Sequence, residues 1–251
     1  MKSIAAICVL LFCATHIDAI INGYSAPQSP HNVYIFSMID TNVGIAGGGT
    51  LISSIHVLTA GNLIHNFVEW RCRLGSQLFI QTRQIVSVVG LAHPNYTQQP
   101  RNNDIGIVTL PANSILSFSV DIAPIALPPL NWPQTLPLEN EQGSMIGFGG
   151  SSGTSVSVER LQRGHQRVTE GARCNAFFQV NTNNFFCGED PIYQSNICNQ
   201  DIGGGFSVSF NGVDTLVGIS ALVIEACNGT WPSAYTRVQP YREWIRSVTS
   251  V

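Results

Sequence analysis

Few side chains in this 251-residue chain are reactive, because only 11% of them are charged. The seven cysteines are the clearest chemical signal. Cys8 and Cys13 fall in the first nineteen residues, and Cys72, Cys174, Cys187, Cys198 and Cys227 follow. In an oxidising compartment thiols pair off, so one of the five is left over, and spacing alone does not say which. Asn95-Tyr-Thr97 and Asn228-Gly-Thr230 are acceptor triplets for N-linked glycan. Arg163, His165 and Arg167 alternate along one expected strand face. Such a strip could hold a sulfated glycan or another anion, or be solvated surface balanced by Glu159 and Glu170. His31, His56 and His65 show no metal-ligand spacing with cysteines or carboxylates, so neither metal nor cofactor is expected.

The composition narrows the setting. With 44% apolar and 11% charged residues, the chain is neither a disordered tail nor a coiled coil. A net charge of -3 gives no footprint for nucleic acid. Lys2, the apolar run from Ile4 to Ala14, and Ile17-Asp18-Ala19 form the pattern of a secretory signal with a cut after Ala19. The run is shorter than the ~20 residues a membrane span needs. We therefore expect a signal peptide over 1–19, an extracellular domain over 20–251, and no membrane span.

The elements that must position these residues read as all-β. Gly49-Thr-Leu-Ile-Ser-Ser-Ile-His-Val-Leu58 reads as strand, turn, strand, and residues 85–91 and 105–110 are rich in branched residues. Residues 206–210 alternate, Asn211-Gly212 follows, and residues 213–219 resume, which is a hairpin signal. The Pro-rich stretch within residues 119–133 reads as a linker between two β units. One helix is expected over 240–250, with Tyr241, Trp244, Ile245 and Val248 on a single apolar face.

Several segments resemble the trypsin-like serine proteases. These are Ile20-Ile-Asn-Gly23, Gly48-Gly-Thr-Leu-Ile-Ser53, Val57-Leu-Thr-Ala60, His93-Pro94, Asn103-Asp-Ile105, Gly147-Phe-Gly149, Cys198-Asn-Gln-Asp-Ile-Gly-Gly204 and residues 232–238. The resemblance implies two antiparallel six-stranded β-barrels with a site between them. It implies a triad of attacking serine, proton-accepting histidine and orienting aspartate. Carried over, the aspartate is Asp104, but the histidine position holds Asn62 and the serine position Ile202. An amide is not a base near neutral pH, and Ile202 has no nucleophilic atom. Losing either residue alone removes ~10⁶-fold of activity in a related system.

The supporting positions are altered too. An oxyanion-hole N–H belongs to Gln200 where the family has glycine, so the side chain is expected to turn that N–H away. The base of the specificity pocket falls on Asn196, and its walls fall near Val223 and on Ser233. With the triad broken, Asp104, Asn62 and Asn196 read as ordinary polar residues. His65, three residues past Asn62, is a remote replacement base that would still lack a nucleophile. Asp201 is retained, and the resemblance implies that it pairs with the new amino terminus at Ile20. The resemblance also implies disulfides Cys174–Cys187 and Cys198–Cys227. A third family bridge falls on Gly47 and Leu63 and is absent. Cys72 is then unpaired, either as a buried thiol or in an intermolecular disulfide.

The expected function is that of a secreted, non-catalytic protease homologue acting by binding. Its partner would be an active protease or its substrate in an extracellular cascade. Alternatives are a serine endopeptidase with unconventional residues and a secreted ligand-binding or adhesion product reusing the fold.

Overall fold

The structure, a computed structural model, describes residues 20–114, 116–150, 159–224 and 227–251. The expected signal segment, 1–19, lies outside them.

The first half is one antiparallel sheet. Its order is Arg83–Ser87, Glu69–Leu74, Asn32–Met38, Gly44–Leu51, His56–Thr59, Gly106–Thr109 and Gly90–Ala92. The two end strands are consecutive in the chain. Between them the backbone bends through Val88 and Val89, and the Thr109 N–H donates to the Val89 carbonyl at 2.9 Å. One curled segment thus borders both ends of the order and rolls the sheet around its core. Burial follows the period-two rule: in Glu69–Leu74, Trp70, Cys72 and Leu74 face inward. They pack with Val33, Ile35, Leu51, Val57 and Val108.

The second half is a closed barrel of six strands: Gln142–Gly147, Gly205–Phe210, Val213–Leu222, Ser233–Arg237, Phe185–Glu189 and Gln162–Val168. The last pairs back onto the first, and Tyr24–Ser25 adds to its outer side. Asn211 and Gly212 take φ of 51° and 81°. Both positive values mark the hairpin turn whose twist matches its strands.

The Pro-rich stretch between the two halves is tied down by the C-terminal segment. Gln239 donates from Nε2 to the carbonyls of Pro129 and Trp132, Arg242 from Nε to that of Pro128, and the Trp132 ring meets Phe210 edge-on. The C-terminal helix runs over Arg242–Thr249 after a 3-10 turn, Gln239–Tyr241. Tyr241 and Ile245 are buried, with Trp244 and Val248 packed beside them. A second helix, Gly171–Phe178, was not expected. Its apolar residues make no single stripe, and only Cys174 of the eight is buried. The Cys174–Cys187 disulfide ties it to the barrel, with an S–S distance of 2.05 Å. Cys198 and Cys227 form the second bridge. No described helix is long and apolar enough to cross a membrane.

Candidate functional site

Three segments meet between the two halves. The strand His56–Thr59 runs into the 3-10 turn Gly61–Leu63, which carries Asn62. The short hairpin Thr97–Gln98 and Arg101–Asn102 runs into Asp104. The loop from Cys198 to Gly204 carries Gln200, Asp201 and Ile202. The loop is docked on the first half by the Gly48 N–H, which donates to the Ile202 carbonyl at 2.7 Å. Gly203, at φ 88°, has the Gly48 carbonyl and the Thr59 hydroxyl where a Cβ would stand, so only glycine fits. Leu63, 1% exposed, fills the space at Gly47 where the family's third bridge would lie.

Asp104 is not an ordinary polar residue. It is fully buried, against the expectation from its broken triad. Its Oδ1 accepts the Asn62 backbone N–H at 2.8 Å, and its Oδ2 accepts from Arg101 Nη1 at 3.1 Å. Burial raises its carboxyl above the usual range, and the guanidinium and the N–H groups of Asn62 and Gly61 pull it back down. The Asn62 side chain makes no bond to this carboxylate among the described residues, and its Oδ1 is buried without a hydrogen-bond partner there. Ile202 packs against the apolar cluster of Leu58, Ala60, Ile105 and Ile219. His65 is exposed beside the Tyr96 ring, 5.6 Å between centroids.

Asn196 is likewise no solvated polar group. It is 3% exposed and locked. Its Oδ1 accepts from Gln166 Nε2 at 2.8 Å, from the Ile197 N–H at 2.9 Å and from the Ser233 hydroxyl. Its Nδ2 donates to the carbonyls of Trp231 at 2.7 Å and Asn228 at 3.3 Å. The polar group at this pocket base is consumed inside the protein. Val223, expected at a wall, is partly buried against the cluster around Phe206 and Tyr235.

Gln200 stands in the loop from Cys198 to Gly204. Its backbone holds φ 70°, the left-handed region that glycine favours. Gln200 Oε1 accepts the Tyr34 hydroxyl at 2.6 Å, which anchors the strained residue.

Asp201 is 2% exposed. Its carboxylate accepts the N–H of Gly149 at 3.0 Å and of Cys198 at 3.1 Å. No basic side chain pairs with it among the described residues, and burial pushes its carboxyl up to about 8. Gly147 and Gly149 leave no room for a Cβ beside it. Ile20 is fully buried in the same half, packed with Met145, Ile197 and Tyr235.

Cys72 lies unpaired and fully buried inside the first barrel, and burial pushes its thiol up to about 12. An intermolecular disulfide has no access to it in this fold. The strip Arg163, His165, Arg167 is not a bare cationic face either. His165 Nε2 lies 2.6 Å from the Tyr24 hydroxyl, and the adjoining depression of about 260 Å³ is also lined by Glu189 and Asp190. Arg173 is paired with Glu189 at 2.7 Å. Asn95 and Asn228, the asparagines of the two acceptor triplets, are both exposed, and the Asn228 carbonyl is one of the two that Asn196 contacts.

Sequence reasoning missed Arg101, Tyr34 and Gln166. The signal for Arg101 was present: it is the cation nearest the aspartate in sequence, three positions before it. Tyr34 and Gln166 are distant in sequence from their partners, and nothing local marks them.

Comparison with known proteins agrees with the fold. The chain is 26% identical to a collagenase of Hypoderma lineatum over 238 residues, 92% of this chain and 88% of the relative. It is 25% identical to a chymotrypsin of Phaedon cochleariae over 240 residues, covering 91% and 81%. It is 27% identical to the vitamin K-dependent protein C of Mus musculus over 252 residues, 91% of this chain but 51% of the relative. The chain thus spans about half the length of some relatives that it matches. A solved structure of HL collagenase superposes with a TM-score of 0.77 at 25% identity, covering 92% of this chain and 99% of that one. The family model described as trypsin matches residues 20–245, most of the chain, and the protein belongs to the trypsin family of serine proteases.

Proposed function

We propose that this is a secreted, non-catalytic member of the family that acts by binding a protein, as a cofactor or decoy in an extracellular proteolytic cascade. One observation carries the reading. The two positions that must supply base and nucleophile hold Asn62 and Ile202, and the remaining triad acid is occupied by Arg101. Acyl transfer in this geometry needs a proton acceptor and a nucleophilic atom within reach of each other. Neither side chain offers one. The polar atoms of Asn196 and Ser233 are bonded to each other and to neighbouring groups rather than held free for a substrate side chain.

Secretion, with a signal cut after Ala19, is part of the proposal. The cut makes Ile20 the amino terminus, and its ammonium becomes the partner of Asp201. Glycan on Asn95 and Asn228 belongs to the same route. The family's known proteases make an endopeptidase with unconventional residues the rival reading, and an adhesion or ligand-binding product the other.

The test is cleavage of a broad peptide library, read by mass spectrometry, using protein from a secretory host with Asp104→Asn in parallel. No cleavage above background in either sample is expected. Cleavage by the wild type that the variant loses would overturn the proposal.

A further inference from the structure

The cleft has a feature that a broken triad alone does not explain. Arg101 stands on the short hairpin strand Arg101–Asn102 and points across the gap between the barrels. Its Nη1 donates to Asp104 Oδ2 at 3.1 Å and to the Ala221 carbonyl at 2.9 Å. Those acceptors belong to different halves of the molecule.

Ala221 lies near the end of the strand Val213–Leu222. Pairing with Gly205–Phe210 runs only as far as Ile219, and Ser220 then bonds to Gly203 and Gly204. Beyond that point the cleft side of the strand has no neighbouring strand among the described residues. A free strand edge is a template for an added extended chain, whose N–H groups would seek its carbonyls. Arg101 already occupies the Ala221 carbonyl.

We propose that Arg101 is the residue that closes this cleft, one nitrogen filling both the carboxylate oxygen that would orient a base at position 62 and the edge carbonyl that would receive a peptide N–H. This rests on the reading of a degenerate triad and deepens it: restoring base and nucleophile is not enough. The partner surface of the protein then lies outside the cleft.

The electrostatic consequence is direct. A base at position 62 would face a cation instead of a free carboxylate oxygen, which favours its neutral, unoriented form. Replacing Arg101 by an uncharged residue of similar reach returns Oδ2 to the base and the Ala221 carbonyl to a peptide.

Two measurements test this in the full mature chain. The first is the NMR titration of the imidazole introduced by Asn62→His, with and without Arg101→Leu. The imidazole should titrate about one pH unit or more lower while Arg101 is present. Equal values, or the reverse order, overturn the proposal. The second is hydrolysis of a fluorogenic peptide library by Asn62→His/Ile202→Ser, against the same pair with Arg101→Leu. The triple variant should be at least ~10²-fold faster, the usual worth of a positioned general base. Equal rates, or turnover in neither, overturn it. Thermal melting checks that each variant folds, and Arg101→Gln replaces Arg101→Leu if the latter does not. Hydrolysis by the unmodified chain would instead sink the non-catalytic reading, so the two failures are distinct.

Discussion

Arg101 and Asp104, three residues apart in sequence, form an ion pair whose carboxylate is wholly shut off from water. Arg101 itself keeps 22% of its side chain exposed. The charge most in need of compensation is therefore the acid. Removing one partner of a buried pair costs about 3–5 kcal/mol. We expect Arg101→Met to cost near the lower end of that range and Asp104→Ala to destabilise as well. Urea unfolding of both single variants and of Asp104→Ala/Arg101→Met forms a double-mutant cycle. The double variant should lose less than the sum of the singles, because it leaves no orphaned charge. Strict additivity would mean that the pair is not coupled.

Asp201 links stability to pH through a carboxyl raised to about 8 while Ile20 is still joined to the residue before it. In the unfolded chain this acid ionises near its ordinary value of about 4. Between these values the folded state holds a proton that the unfolded state lacks, so stability falls as pH rises from about 4 to 8. The slope is at most about 1.4 kcal/mol per pH unit. A chain carrying an N-terminal extension before Ile20 should show this fall in denaturant melts. On the proposed pairing with the Ile20 ammonium, which would hold the carboxylate ionised, a chain beginning at Ile20 should not. The same profile in both forms would show that the terminus does not reach Asp201.

Asn196→Asp would place a carboxylate oxygen where Nδ2 now donates to the Trp231 and Asn228 carbonyls. Two acceptor contacts then become repulsive inside a closed network. We expect a loss of roughly 2–4 kcal/mol, in line with a buried charge one of whose oxygens faces two carbonyls. The variant should gain no affinity for an arylamidine cation by calorimetry. Tight binding of the amidine would show that the pocket is open.

Cys72 should be silent in the native protein. Ellman's reagent should titrate no thiol until denaturant is added, and then one per chain, because the sulfur is fully buried and its thiolate disfavoured. Non-reducing gels should show monomer. Rapid native labelling would contradict the packing of the first barrel.

The barrels were legible because their signals are local. Asn211-Gly212 marks its turn through two positive φ values, and Trp70, Cys72 and Leu74 alternate as an inward face should. At positions 62 and 202 the sequence shows an amide and an alkyl side chain. What surrounds the candidate site was not legible, because it depends on contacts between distant segments. Arg101 reaches Ala221 across 120 positions, Tyr34 reaches Gln200 across 166, and Gln166 reaches Asn196 across 30. The helix Gly171–Phe178 escaped because its hold on the barrel is a disulfide rather than an apolar stripe.

Ile202 offers no atom that can attack a substrate. The measurement that tests this is exposure of the wild-type chain, expressed in a secretory host, to a fluorophosphonate probe, with an active trypsin-type protease as control and peptide mapping as the readout. Stoichiometric labelling of the control and no adduct between residues 198 and 204 of this protein are expected. An adduct anywhere in that loop would contradict the non-catalytic reading.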